Sequence, residues 1–219
     1  MYMAASDVLM AQAPSNAWQS LEVAKKAYHA DEPETANRKF QGIIDDYCTA
    51  DEYSDLCFEA KLYKSRIART QNNLDEAEQM LANLERFVND NLNGDVNELT
   101  LVYAHNVFLA YQRSSLSQSG QWAHKVREVL GAHEELSSLS QAWAYTALGH
   151  HESMAGNYRD AISYYQKGIE CTEVINNIEK TGDLLIAIHN NLGIPYRRLG
   201  EPLKAKGHYQ KSLEVIRKV

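Results

Sequence analysis

The run His150-His151-Glu152 is the densest group of side chains in the sequence that could bind a metal ion. Successive residues of a helix point about 100° apart, so these three cannot converge on one ion as an i, i+4 pair would. The remaining histidines are scattered, and we interpret them as packing or surface residues. The sequence therefore predicts neither a metal site nor a cofactor.

Three cysteines, Cys48, Cys57 and Cys171, are the candidates for redox chemistry. Their number is odd and no C-x-x-C pair occurs, which gives neither a disulfide framework nor a zinc site. A free cysteine usually packs as a small hydrophobic residue. We therefore expect three reduced, buried or half-buried thiols in a cytoplasmic protein.

Motifs for nucleophilic or phosphate chemistry are absent from the sequence. It contains no G-x-S-x-G, no P-loop and no G-x-G-x-x-G after a strand. We therefore expect the protein not to be an enzyme.

The charge balance bears on the class of partner. The 219 residues carry 29 acidic and 22 basic side chains, a formal charge of −7. Neutralising phosphates needs a surplus of lysine and arginine, so no nucleic acid is expected to bind directly. No apolar run approaches the roughly 18 residues that span a bilayer, so no membrane partner is expected.

The first sixteen residues lack the features of a secretory signal. No basic residue precedes the mildly apolar part of residues 1–16, and Asp7 interrupts it. We interpret the segment as a lead-in or an added stretch, and a remnant of a processed export signal is the less favoured alternative.

A spacing pattern recurs along the rest of the chain: a small residue, an alanine twelve positions later, and a large apolar residue four positions further on. The four occurrences are Ala24–Ala36–Phe40, Ser65–Ala77–Leu81, Gly149–Ala161–Tyr165 and Gly193–Ala205–Tyr209. A small residue facing an alanine lets two antiparallel helices approach closely, and the large side chain fills the space beside them. The pattern therefore predicts helix pairs.

The distances between these occurrences predict one more unit. The small residues are 41, 84 and 44 positions apart, so the double-length gap should hold a fifth unit near residue 107. Its best match is Ala110, Trp122 and Val126, with a tryptophan where alanine belongs and a serine-rich turn at 114–120.

Turn and capping residues place the helix ends. Gly156 and Gly200 suit helix C-termini. Asp95-Val-Asn-Glu98 and Ser138-Leu-Ser-Gln141 read as capping boxes, and Asp183 reads as the cap of the helix that runs to Leu199. About ten helices in five pairs are expected, near 17–50, 58–91, 101–134, 142–175 and 186–219.

Two segments resemble the tetratricopeptide repeat, whose pattern is W-x-x-L-G-x-x-Y followed by A-x-x-x-F. They are Tyr145-x-x-Leu148-Gly149 with Ala161-x-x-x-Tyr165, and His189-x-x-Leu192-Gly193-x-x-Tyr196 with Ala205-x-x-x-Tyr209. The period of about 42 residues resembles the long-period variant of kinesin light chains and bacterial regulatory arrays. The resemblance implies an all-α fold, a right-handed α-solenoid with a concave inner face.

In this family the first helix of each pair lines the concave groove, where peptides or partner segments bind. The resemblance therefore implies a set of aromatic, basic and amide groove residues. They are Trp18, Lys25, Tyr28, Tyr63, Arg66, Arg69, Trp143, His150, Asn190, Asn191, Arg197 and Arg198, with Glu22 and Met154 beside them.

The family's carboxylate clamp places asparagine directly before the Leu-Gly pair, and Asn191 matches that position. Ala147, Lys64 and Glu22 occupy it in the fourth, second and first units. The full clamp is absent, so the chain is not expected to hold chaperone tails. Asn191 either binds a ligand or packs the groove wall, and both alternatives stay open.

Three functions compete on this evidence, and the least favoured is a purely structural spacer, because aromatic and basic side chains cluster along the groove. The first is a scaffold or adaptor that binds a protein or peptide in the groove. The second is the sensor or regulatory part of a larger protein, whose protease, kinase or DNA-binding domain lies outside this chain. The sequence stops at Val219, on the second helix of a repeat without a capping helix, which favours either a larger protein or self-association through that open end.

Pro195 lies inside the predicted last groove helix, one turn after Asn191. An interior proline leaves the carbonyl four residues earlier without its helical donor. The outcome is either a local bend or a tilted last unit that offers Asn191 to a ligand.

Overall fold

The computed structural model describes residues 14–49, 53–133 and 135–218, and these fold into ten α-helices with no strand. The first five are α1 (Ser15–His29), α2 (Pro33–Tyr47), α3 (Ser54–Thr70), α4 (Leu74–Asn91) and α5 (Val96–Gln112). The others are α6 (Leu116–Ala132), α7 (Ser138–Ala155), α8 (Tyr158–Ile175), α9 (Ile178–Arg198) and α10 (Pro202–Ile216). The predicted lead-in of residues 1–16 lies mostly outside the described residues, and α1 already begins at Ser15.

The helices pack as successive pairs. Each helix contacts the next one along the chain, and the odd-numbered helices also contact the next odd-numbered helix. Because first helices meet one another across pairs, they form the inner layer of a curved array. The predicted α-solenoid of five helix pairs is confirmed. Among the described helices, none is both long and apolar enough to cross a bilayer.

The predicted close approach within a pair is confirmed in the last two units. A Cβ atom placed on Gly149 would stand 2.7 Å from the ring of Tyr165, and one on Gly193 would overlap the ring of Tyr209. Ala161 and Ala205 are buried beside them. A large ring can fill this space only because the facing position has no side chain.

The third pair differs from its sequence-based reading. Only residues 113–115 separate α5 from α6, and Ser115 caps α6 by accepting a hydrogen bond from the Gln118 amide, so the predicted turn at 114–120 is mostly helix. On α6 the fully buried small residues are Ser119 and Ala123, whereas Trp122 is half-buried. A small side chain therefore faces the core here as well.

One predicted capping box forms only on one side. The Asp95 carboxylate accepts from the backbone N–H groups of Asn97 (2.8 Å) and Glu98 (3.3 Å). The Asp95 amide is bonded to the Leu92 carbonyl instead of to Glu98, and Glu98 Oε2 is buried without a partner. Asp95 therefore caps α5, while the return hydrogen bond from the Asp95 amide to the Glu98 side chain does not form.

The other two predicted caps are wrong. α7 is capped by Ser137, one residue earlier than predicted, through a hydrogen bond from the Ser140 amide. α9 is capped by Asn177, which accepts from the Lys180 amide. Asp183 lies inside α9, where its backbone amide is already paired within the helix, so its carboxylate is free to reach other helices.

The prediction of three reduced thiols is wrong. Cys48, at the end of α2, and Cys57, in the first turns of α3, form a disulfide. They are nine positions apart in sequence, and the packing of α3 against α2 brings their Cα atoms to 5.7 Å. Cys171 is free and half-buried.

Candidate functional site

A cavity of about 430 Å³ opens on the inner face of the array. All five odd-numbered helices contribute to its wall. The lining residues are Tyr28, Arg66, Arg69, Phe108, Tyr111, Gln112, Trp143, His150, Asp183, Ile186, Ala187 and Asn191. The wall therefore combines aromatic and aliphatic side chains with two guanidinium groups and one carboxylate.

Half of the residues that the sequence assigned to the groove line this cavity. They are Tyr28, Arg66, Arg69, Trp143, His150 and Asn191. They come from α1, α3, α7 and α9, so the structure brings together side chains that are as many as 163 positions apart.

Three predicted residues on α9 lie elsewhere. Asn190, Arg197 and Arg198 are exposed and do not line the cavity. Because neighbouring residues of a helix point about 100° apart, Asn190 cannot face the same side as Asn191. Asn191 itself donates from Nδ2 to the Ala187 carbonyl oxygen at 2.7 Å.

Three further predicted residues support the cavity without lining it. Tyr63 stacks on Phe40 with ring centres 5.1 Å apart. Lys25 pairs with Glu59 at 2.6 Å. Trp18 is half-buried and packs against the hydrophobic core of the first two helix pairs.

Arg66 is buried at the centre of an aromatic cage. Its guanidinium carbon lies 4.8 Å from the ring centre of Tyr28, 4.5 Å from that of Tyr63 and 5.5 Å from that of Trp143. Cation–π attraction is strongest where water is excluded, as it is here. These rings therefore hold Arg66 in one orientation.

Asp183 pairs with that guanidinium from across the groove. Its Oδ2 accepts from Arg66 at 2.5 Å, and its Oδ1 lies 2.9 Å from Nδ1 of His29 on α1. Burial by itself would raise the pKa of the carboxyl, but the hydrogen bond from His29 and the charge of Arg66 lower it to about 2. Asp183 is therefore ionised and joins α9 to α1 and α3.

Two buried histidines near the arginines, His105 and His150, are held neutral. Burial lowers the pKa of His150 to about 4. Burial, with the nearby charges of Arg66 and Arg69, lowers that of His105 to about 3. At neutral pH neither imidazole adds positive charge to the site.

The sequence reading missed the contribution of α5 entirely. Phe108, Tyr111 and Gln112 line the cavity, yet no groove residue was assigned to the third unit because its repeat pattern is weak. The sequence did contain a signal for α5. Tyr111 directly follows Ala110, the small residue of the third unit, just as the groove residue Arg66 directly follows Ser65, the small residue of the second unit. Asp183, Ile186 and Ala187 were missed because Asp183 was taken for a helix cap.

Metal binding finds no support in the described part of the chain. No group of three or more histidine, cysteine, aspartate or glutamate side chains lies close enough together there to hold an ion. His151 and Glu152 have different partners. His151 Nδ1 is hydrogen-bonded to the Ser119 hydroxyl, and the Glu152 carboxylate pairs with Arg127 at 2.6 Å.

Comparison with known proteins gives only distant structural likenesses. No protein-family model matches the sequence, and no curated protein matches it. Among solved structures, the chain is similar to one described as "MamA 41-end from Desulfovibrio magneticus RS-1", with 14% identity, a TM-score of 0.46, and coverage of 94% of this chain and 97% of that one. The same values hold for "MamA RS-1 ArsTM double mutant". "MamA MSR-1 C2" has 14% identity, a TM-score of 0.41, and coverage of 94% and 99%. Likenesses at this level carry no information about partners or activity.

Proposed function

We propose that this protein is an interaction module, without catalytic activity, whose concave groove binds a segment of a partner protein. The observation that carries the proposal is that five consecutive first helices direct side chains into one cavity. Aromatic side chains there offer apolar area, while arginine and amide groups offer hydrogen bonds to a peptide.

The N–H and C=O groups of a bound peptide would find hydrogen-bond acceptors and donors in this groove. Gln112 on α5 and Asn191 on α9 both line the cavity, and each amide has hydrogen-bonding capacity beyond the bonds it makes to Arg69 and to the Ala187 carbonyl. Phe108, Tyr111 and Trp143 add aromatic area to the same wall. This arrangement suits a short extended segment that inserts one or two side chains.

Selection of binding peptides from a displayed random library, followed by hydrogen exchange on the complex, tests the proposal. We expect protection on the inner face of α3, α5, α7 and α9, and loss of binding for Arg69→Gln and Tyr111→Ala. Arg197→Gln and Arg198→Gln are matched controls, because both side chains are exposed outside the cavity. Protection confined to even-numbered helices, or equal binding by all four variants, would rule the groove out.

The proposal includes the self-association that the sequence predicted for the last unit. On α10 the side chains of Leu203, Leu213 and Ile216 are 84%, 54% and 49% exposed. Burying apolar area between two copies would be favourable by about 25 cal/mol per Å². Sedimentation should show a concentration-dependent dimer that Leu203→Glu with Leu213→Glu removes; a strict monomer at high concentration would contradict it.

A further inference from the structure

Arg69 is a cation in the groove wall that lacks a counter-charge. It lies one turn after Arg66 on α3 and lines the same cavity. Its Nε is buried without a hydrogen-bond partner, and Nη1 lies 3.5 Å from the amide oxygen of Gln112, a long hydrogen bond to a neutral group. No carboxylate within the described residues pairs with it, whereas Arg66 pairs with Asp183.

The charges around the cavity do not balance. The charged side chains in its wall are Arg66, Arg69 and Asp183, so one positive charge remains uncompensated. This excess lies in a chain whose formal charge is −7. Burial, opposed by Tyr28 and reinforced by the charge of Arg66, lowers the pKa of Arg69. Arg69 is half-buried, and an unpaired charge that is partly removed from water is costly, so a bound anion would lower that cost.

We infer that Arg69 is the receptor for a carboxylate of the bound segment, and that the apolar group next to this carboxylate fills the space between Phe108, Trp143 and Ile186. The inference rests on the proposed function and specifies the ligand's chemistry. A guanidinium donates two parallel hydrogen bonds to a carboxylate, which a neutral amide cannot accept in the same charge-assisted way. Asn191 is not this receptor, because its Nδ2 donates to the Ala187 carbonyl.

The cavity selects a carboxylate on an apolar carrier over a small inorganic anion. Its wall holds four aromatic side chains besides the imidazole of His150. Ligand pockets of this kind bury most of an apolar group and use a few polar contacts to fix its orientation. Arg69 on α3 carries the uncompensated charge of the wall and Ile186 on α9 is aliphatic, which matches a ligand with one charged and one apolar end.

The probe for the test is N-acetyl-L-phenylalanine, with N-acetyl-L-phenylalaninamide as its neutral counterpart. Binding to the full chain is measured by calorimetry and through the indole signal of Trp143 in NMR spectra. We expect the acid to bind at least about ten-fold more tightly than the amide. Arg69→Gln should abolish this difference, and Arg69→Lys should restore part of it.

Arg113→Gln is the matched control, because Arg113 pairs with Asp75 and Glu78 and does not line the cavity. It should leave the difference between acid and amide unchanged. Circular dichroism of each variant separates a lost site from a lost fold. The inference is overturned if acid and amide bind alike, if neither binds, or if the acid keeps its advantage in a folded Arg69→Gln variant.

Two further probes separate the sources of the carboxylate. Acetyl-Phe-Glu-amide carries it on a side chain, and acetyl-Gln-Phe with a free terminus carries it at the chain end. If Arg69→Gln weakens the binding of only one of these peptides, that peptide shows whether the carboxylate comes from a side chain or from the chain terminus. Weaker binding of either peptide by Arg69→Gln supports the inference. If library peptides bind the groove but do so equally well in Arg69→Gln, the carboxylate receptor is disproved while the groove function stands.

Discussion

Arg66 of α3 donates to the carboxylate of Asp183 of α9 at 2.5 Å, although 117 positions separate them in the sequence. The same carboxylate reaches His29 of α1. Three helices that belong to the first, second and last pairs are thereby joined across the open side of the groove. This ion pair limits how far the array can open, and it places Arg69 next to a cation that is already neutralised.

Asp183→Asn should lower the free energy of unfolding in a pH-dependent way. The folded-state pKa of Asp183 is about 2, below its ordinary value of 3.8. Its stabilisation is therefore fully present above about pH 4 and is lost as the pH falls through about 2. Denaturant titrations from pH 2 to 7 should show a difference of about 2 kcal/mol between wild type and variant at pH 7, shrinking towards pH 2. Asp46→Asn, at an exposed position of α2, is the control; equal curves for the two variants would contradict a pairing role.

Glu98→Gln should stabilise the protein at alkaline pH. Burial, reinforced by Asp95, Glu59 and Asp55, raises the pKa of Glu98 to about 8. The folded state therefore binds a proton that the unfolded state has released between about pH 4.5 and 8, so stability falls with rising pH over that range, by at most about 1.4 kcal/mol per pH unit.

The variant removes this titration. Its free energy of unfolding should fall less steeply than that of wild type between pH 5 and 8, and the gap should be largest at pH 8. Parallel curves over that range would show that Glu98 titrates normally. Asp95 should be left intact, since its carboxylate caps α5.

The disulfide predicts a thiol count and a stability difference. Protein purified without reductant and then unfolded should expose one reactive thiol, that of Cys171, instead of three. Cys48→Ser should cost roughly 2 to 3 kcal/mol under oxidising conditions, because the bond closes a short loop in the unfolded chain.

The cost should vanish when wild type and variant are compared in reductant, and Cys171→Ser should have little effect in either condition. A count of three thiols in protein taken directly from its source would instead support the reduced, cytoplasmic state that the sequence predicted. Structural disulfides persist mainly in oxidising compartments, so this count also tests the predicted location.

Gly149→Ala should destabilise the fourth helix pair, whereas Gly42→Ala should not. The added methyl on Gly149 meets the Tyr165 ring at 2.7 Å, and forcing extra volume into a packed core costs about 1 to 3 kcal/mol. Gly42, inside α2, has nothing within 4 Å of its added Cβ, so the same change should stabilise by about 0.5 to 1 kcal/mol. Thermal unfolding with opposite shifts for the two variants is the expected result; equal shifts would contradict the close-approach reading.

The repeat spacing predicted the helix pairs because close packing acts locally. A glycine and a tyrosine sixteen positions apart, such as Gly149 and Tyr165, meet whenever two helices are joined by a tight turn. The same locality explains the errors. Ser137 and Ser138 offer the same capping hydroxyl, and only the backbone geometry decides which of them caps α7.

By itself, the sequence determined the helix pairs, the solenoid and the types of side chain that the first helices carry. Each of these depends on contacts within one helix or between neighbouring helices. Only the tertiary structure decided that Cys48 meets Cys57, that Asp183 neutralises Arg66 and that Arg69 is left without a counter-charge. The contact between Arg66 and Asp183 depends on the curvature of the array, because small rotations between pairs add up over five units, whereas the disulfide depends on how α2 meets α3. No short sequence pattern encodes the accumulated rotation between helix pairs. The arrangement of charges in the cavity therefore follows only from the tertiary structure.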